Sequence, residues 1–159
     1  MKIRIEQAEL NLQRKLDWIS RYDSRIAFVS GIAIAMLGVL VNAITSFCNQ
    51  PMYIYLSFGL ALGLLFTSLI FVYKSQYPKT KSSNASLIYF GTIANLKVSD
   101  FKKRFKDLTD EEYLDDLLSQ THINAQILSK KFSYLKISLI LILLSVIPWL
   151  ITIYFSKLY

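Results

Sequence analysis

Side chains able to do covalent or metal chemistry are few and far apart. His122 is the lone histidine and Cys48 the lone cysteine. No nucleophile and base are recognisable around His122, and Asp115 on the same helical face gives it one carboxylate, far short of a metal site. Cys48 can form no disulfide within the chain. Catalysis is therefore not expected, and no metal or resident cofactor is implied. Binding chemistry has more to offer. Lys102-Lys103-Arg104-Phe105-Lys106, next to the acidic stretch from Asp107 to Asp116, reads first as a solvated face. Even so, cations beside Tyr89, Phe90 and Gly91 could hold a phosphorylated ligand. Nothing beyond this patch points to nucleic acid, and the same cations would be drawn to anionic lipid head groups.

The elements that must position these residues are dominated by apolar runs. Residues 26–47 and 52–73 each give a segment of roughly 22 residues without an Asp, Glu, Lys, Arg or His, long enough at about 1.5 Å per residue to cross a hydrocarbon layer of roughly 30 Å. Cys48-Asn49-Gln50-Pro51 supplies a turn between them, so residues 26–73 read as an antiparallel transmembrane hairpin. A third run, 137–155, completes three spans and leaves a tail at 156–159. Composition agrees, with 53% hydrophobic and 18% charged residues. No ionisable group falls at mid-membrane, which disfavours an ion-coupled transporter. Gly59 and Gly63 form a GxxxG pattern and Gly31 with Ala35 a weaker small-xxx-small one. Both let helix backbones approach, within the hairpin or between subunits of a homo-oligomer.

Charge sets the expected topology. Residues 1–25 carry six basic and four acidic side chains, residues 74–136 eleven and seven, and Lys157 completes the net +7. The hairpin tip carries no charge, so the positive-inside rule puts both basic regions in the cytoplasm and the C-terminus outside. The charged approach to the first run is too polar for a cleaved leader. Asp17, Arg21 and Arg25 are spaced to form a ladder of ion pairs at the mouth of the membrane.

Both cytoplasmic regions read as helical. In 1–25, Ile5, Leu12, Leu16 and Ile19 recur at helical spacing in an amphipathic helix that continues into the first span. In 74–136, a polar connection from Tyr77 to Asn84 precedes the short apolar stretch Ala85–Asn95. Ser99 can cap a helix from Asp100 to about Asp107, and Thr109 with Glu112 makes a capping box for the next helix. That helix meets no Pro or Gly before Pro148. Leu114, Leu118, Thr121, Ala125, Leu128, Phe132 and Leu135 give it the spacing of a coiled-coil seam. The expected fold is an all-α membrane protein: three transmembrane helices, with a cytoplasmic extension built from the N-terminal helix and a long helix running into the third span.

Three short stretches carry a resemblance. Tyr22-Asp23-Ser24-Arg25, Leu87-Ile88-Tyr89-Phe90-Gly91-Thr92-Ile93-Ala94, and Asp116-Leu117 with Gln120, Asn124-Ala125, Lys131-Phe132 and Leu135, in this order over almost the whole chain, resemble the transmembrane effectors of Pycsar antiphage systems. That family favours Lys where Arg25 stands and Tyr where Phe132 stands. The resemblance implies a multi-pass protein of the bacterial inner membrane. It would be activated by a cyclic mononucleotide, cyclic CMP or cyclic UMP, from a partner cyclase, and would impair membrane integrity to cause abortive infection. The matching positions for the nucleotide are Arg25, Tyr89, Phe90, Gly91, Asn95, Gln120, Asn124 and Lys131. An aromatic ring would stack on the base, a basic side chain and N–H groups near Gly91 would hold the phosphate, and amides would read the base edge. Equally open is that Tyr89 and Phe90 plug the base of the helix pair. The rival function is a structural or scaffolding membrane protein whose cytoplasmic helices recruit a partner without forming a pore.

Overall fold

The computed structural model describes residues 1–43, 50–77 and 86–156. Every element among them is a helix: α1 (Lys2–Ala43), α2 (Met52–Gln76), α3 (Phe90–Ala94), α4 (Val98–Asp107) and α5 (Asp110–Phe155). Cys48 and Asn49 of the expected turn, the end of the first span, most of the Tyr77–Asn84 connection and the last three residues of the tail lie outside the described residues. α1, α2 and α5 are each long and apolar enough to cross a membrane. The chain is therefore an all-α membrane protein, as its hydropathy implies.

The helices divide into two compact units, Met1–Arg21 with Pro78–Lys130, and Tyr22–Tyr77 with Lys131–Tyr159. α1 and α5 are each unbroken and contribute a segment to both. In the first unit Ala8, Leu12 and Leu117 form a buried core, joined by Ile5, Ile88, Tyr113 and Leu114. The N-terminal helix thus packs on the start of α5, as its amphipathic pattern suggests. The stripe is shifted, however. Leu16 is 50% exposed and Ala8 takes the inner position, because residues 5, 8, 12, 15, 19, 22, 26, 29, 33, 36, 40 and 43 all avoid full exposure and follow one 3-4 heptad seam along α1.

The second unit is a three-helix bundle. α2 runs antiparallel to both neighbours: Tyr22 near the start of α1's span meets Ser75 at the end of α2, while Ser68 meets Ser138 and Ser57 meets Thr152 of α5. α1 and α5 are parallel, with the Trp149 indole donating to the Met36 carbonyl at 3.0 Å.

The expected α5 seam holds in part: Leu114 packs on the core of the first unit and Leu135 is buried. Leu118 is 52% exposed, and the inward positions are Leu117, Gln120, Lys131, Leu135, Ser138, Ile142, Ser145 and Thr152. In lipid the usual logic inverts, because hydrocarbon solvates Leu and Ile as well as another helix does, and small or hydroxylated residues go inside. Leu143, Ile147 and Tyr154 accordingly face outward.

Two local expectations resolve differently. The Thr109–Glu112 capping box forms, with the Thr109 N–H donating to Glu112 Oε2 at 2.9 Å and the Glu112 N–H to Thr109 Oγ1 at 3.3 Å. Ser99 does not cap α4. The helix begins at Val98 with Lys97 in the cap position, and Ser99 bonds the neighbouring Asp100 carboxylate.

Candidate functional site

In the first unit, the side chains converge on Asp116. Ser86 Oγ and the Leu87 N–H both donate to Asp116 Oδ2, at 3.1 and 2.9 Å, and Ser86 Oγ in turn accepts the N–H groups of Ile88 and Tyr89. One carboxylate on α5 therefore fixes the turn that carries Leu87 to Gly91. Tyr89 stacks beside Phe90 with ring centroids 4.7 Å apart, and a methyl group at Gly91 would strike the Tyr89 ring, so Gly91 is needed for that ring's position. Phe90 is 75% exposed and fills no core. Asn95 donates to the Gly91 carbonyl and Asn124 to the Gln120 carbonyl, which commits one of the two N–H donors of each amide locally.

Beside this turn lies a cavity of about 510 Å³ lined by Ser86, Leu87, Arg104, Asp107, Leu108, Glu112, Asp115, Asp116 and Ser119, a size suited to a small ligand. Asp116 Oδ1 and Gln120 Nε2, one helical turn apart on α5, are buried without a hydrogen-bond partner. Such groups cost free energy unless something supplies the missing bond. Electrostatics on the flank is local. Burial first, and then the hydrogen bond to Glu9, pushes the Tyr113 phenol above its ordinary range. The Thr109 backbone N–H and then its hydroxyl hold Glu112 below the usual carboxylate value. His122 contacts Gln126 of its own helix, and among the described residues no cluster of His, Cys, Asp or Glu is arranged around a metal position.

In the second unit the convergence is on Tyr22. Its buried hydroxyl joins Ser75 of α2 and donates to the Lys131 carbonyl of α5 at 2.8 Å, and its ring meets Phe132 edge-on at 5.3 Å. Lys131 Nζ lies 5.2 Å from the centre of the Tyr22 ring and 2.8 Å from Asp23 Oδ1. This is the one ion pair among the described residues, in place of the expected Asp17–Arg21–Arg25 ladder, and Arg21 lies instead over Trp18. Arg25 is exposed, at one end of an apolar groove of about 430 Å³ formed with Ser24, Phe28, Val29, Leu135 and Leu139.

The Pycsar effector protein domain family matches residues 7–156. The chain belongs to that family. Membership places this Pycsar effector among the proteins of antiphage defence, and as a membrane protein by its three spans. It is similar to the Pycsar effector protein GmPycTM of Gulbenkiania mobilis, at 24% identity with 80% of each chain covered. No solved structure matches it.

The geometry sorts the sequence motifs of this Pycsar effector in pairs. Leu87–Ala94 meets Asp116-Leu117 through the Asp116 carboxylate, and Tyr22-Asp23 meets Lys131-Phe132 through the tyrosine and the ion pair. Tyr89, Phe90, Gly91, Asn95, Gln120 and Asn124 fall in the first unit, while Arg25 and Lys131 fall in the second. Two partners were missed in the sequence. Ser86, directly before the Leu87 motif, carries the signal of a serine that bonds its own backbone ahead. Ser75 carries none, since a serine at the end of an apolar run more often bonds its own helix.

Proposed function

We propose that this effector is held closed until a cyclic mononucleotide, cyclic CMP or cyclic UMP made by a partner cyclase, binds its first unit, after which the three-span bundle rearranges and the membrane leaks. The outcome in an infected cell is growth arrest or death before phage mature. The protein resides in the bacterial inner membrane with its N-terminus in the cytoplasm, where that ligand is made, and its C-terminus outside.

The observation that carries this reading is the chemistry of the bundle interior. Ser57, Ser68, Ser75, Ser138, Ser145 and Thr152 are all buried there. Ser68 pairs with Ser138 at 2.7 Å and Thr152 donates to Ser57 at 3.1 Å. Hydroxyls that bond across helices can exchange those partners for water at little cost, whereas a Leu-filled seam cannot. Three helices without charge are too few to enclose a wet path. Opening therefore recruits further copies of the chain, with the outward-facing Gly59 and Gly63, whose added Cβ atoms would meet nothing, as one contact between them.

Particular side chains of the first unit support this ligand. Asp116 lines the cavity and its Oδ1 lacks a partner, as does Gln120 Nε2 one turn behind the cavity wall, so a shift of α5 would offer an acceptor and a donor to a pyrimidine edge, which itself presents a donor beside an acceptor. Arg104 is the cation lining the cavity for a phosphate, and the exposed Phe90 ring is available for stacking. Lys131 is already engaged by Asp23. The ligand shifts the equilibrium only by its preference for the open arrangement.

The test is dye release from liposomes containing the purified protein, with cyclic CMP, cyclic UMP, cyclic purine nucleotides and the linear monophosphates. Release with one cyclic pyrimidine nucleotide alone is expected. Intact vesicles under every ligand, with folded and correctly oriented protein, would overturn the reading in favour of a scaffold that recruits a partner.

A further inference from the structure

α4 is turned the wrong way round for a helix of a soluble unit. None of its residues is buried. At about 100° per residue, Val98, Phe101 and Phe105 share one face, with Lys102 and Lys106 along one edge of it, Arg104 along the other and Lys103 further round. Asp100 and Asp107 stand on the opposite face. It is this polar side that α4 presents to α5, since Arg104, Asp107 and Leu108 line the cavity shared with Glu112, Asp115 and Asp116. The apolar side is largely open: Val98 is 70% and Phe105 56% exposed, while Phe101 is half-buried, its ring centroid 5.9 Å from that of Phe105.

We infer that the Val98–Phe101–Phe105 face is a docking surface for a bilayer surface bearing anionic head groups. Two aromatic rings and a valine edged by Lys102, Lys106 and Arg104 match a layer whose outside is negative and whose inside is apolar. A second copy of the same face is disfavoured by its own charge, because a two-fold contact would set these cations against their equivalents. Attachment to α5 across a polar cavity leaves α4 free to hold the surface without unpacking a core. The inference stands whichever ligand activates the protein.

The test uses the full chain, Cys48→Ser, reconstituted in vesicles, with a spin label at Phe105→Cys or, on the opposite face, at Asp100→Cys. Accessibility to oxygen relative to a water-soluble nickel chelate reports depth. Because no α4 residue is buried, both variants should fold as the parent does, which circular dichroism checks. In vesicles containing phosphatidylglycerol the ratio at position 105 should clearly exceed that at 100. It should fall to the aqueous value in pure phosphatidylcholine and after Lys102→Gln and Lys106→Gln together. An aqueous ratio at 105 in both lipids would overturn the inference. So would shielding that is equal in both lipids and accompanied by spin–spin broadening that disappears on dilution with unlabelled protein, since that pattern marks a second copy.

Discussion

Lys131 and Asp23 form an asymmetric pair: the lysine side chain is 8% exposed and the aspartate 45%. Removing one partner strands the other, and a stranded charge costs more the deeper it lies. Asp23→Asn leaves a buried ammonium with an amide oxygen and the Tyr22 ring beside it but no counter-charge, whereas Lys131→Met leaves a half-exposed carboxylate that water can reach. Thermal unfolding in detergent should therefore show the larger loss for Asp23→Asn, with Lys131→Met near the parent. Equal losses would mean that the pair's geometry, not desolvation, sets the cost. Lys131 also shows where sequence reading stops. Its type and position mark it as a candidate anion holder, but nothing in spacing says that a carboxylate 108 residues away already takes its charge. Gly91 was legible as special, and the Tyr89 ring above it supplies the reason.

At the scale of elements, legibility follows which solvent a helix meets. The Thr109–Glu112 box and the three long helices could be read directly, because caps and hydropathy are local signals. The α5 seam could be read only in part. Choosing the apolar residues finds Leu114 and Leu135 but also the exposed Leu118, and Gln120, Lys131, Ser138, Ser145 and Thr152 on the inner face look like interruptions. The capping box has its own pH signature. Glu112 has a lowered pKa in the folded chain, so its contribution is present above the ordinary carboxylate range and is lost as pH falls through the lowered value. Amide protection in the first turn of α5 should drop on acidification over that window. Glu112→Gln should abolish the pH dependence, and a wild-type profile in that variant would assign the drop to another carboxylate.

For the whole molecule, the organising fact is that α1 and α5 are shared by two units while α2 belongs to one. The ligand proposed for the first unit would thus work on helices that are also two of the three spans. The outward Gly31, Gly59 and Gly63 can be separated from folding of the bundle, since a Cβ at each meets nothing within 4 Å. Gly59→Leu with Gly63→Leu should leave the melting temperature of the solubilised protein unchanged while reducing inter-subunit crosslinking and ligand-triggered release. A fall in melting temperature matching the loss of release would remove the case for contacts between copies.

The two tryptophans give the chain a built-in pair of optical reporters, one in each unit. Trp18 sits under the Arg21 guanidinium, 5.8 Å from its centre, and Trp149 has its indole N–H on the Met36 carbonyl. Trp149→Phe leaves an emission spectrum that belongs to the first unit, and Trp18→Phe one that belongs to the span bundle. Following each during a rapid ligand mix would order the two events in time: whether the span indole changes colour with the first unit, after it, or only once vesicle contents have begun to escape.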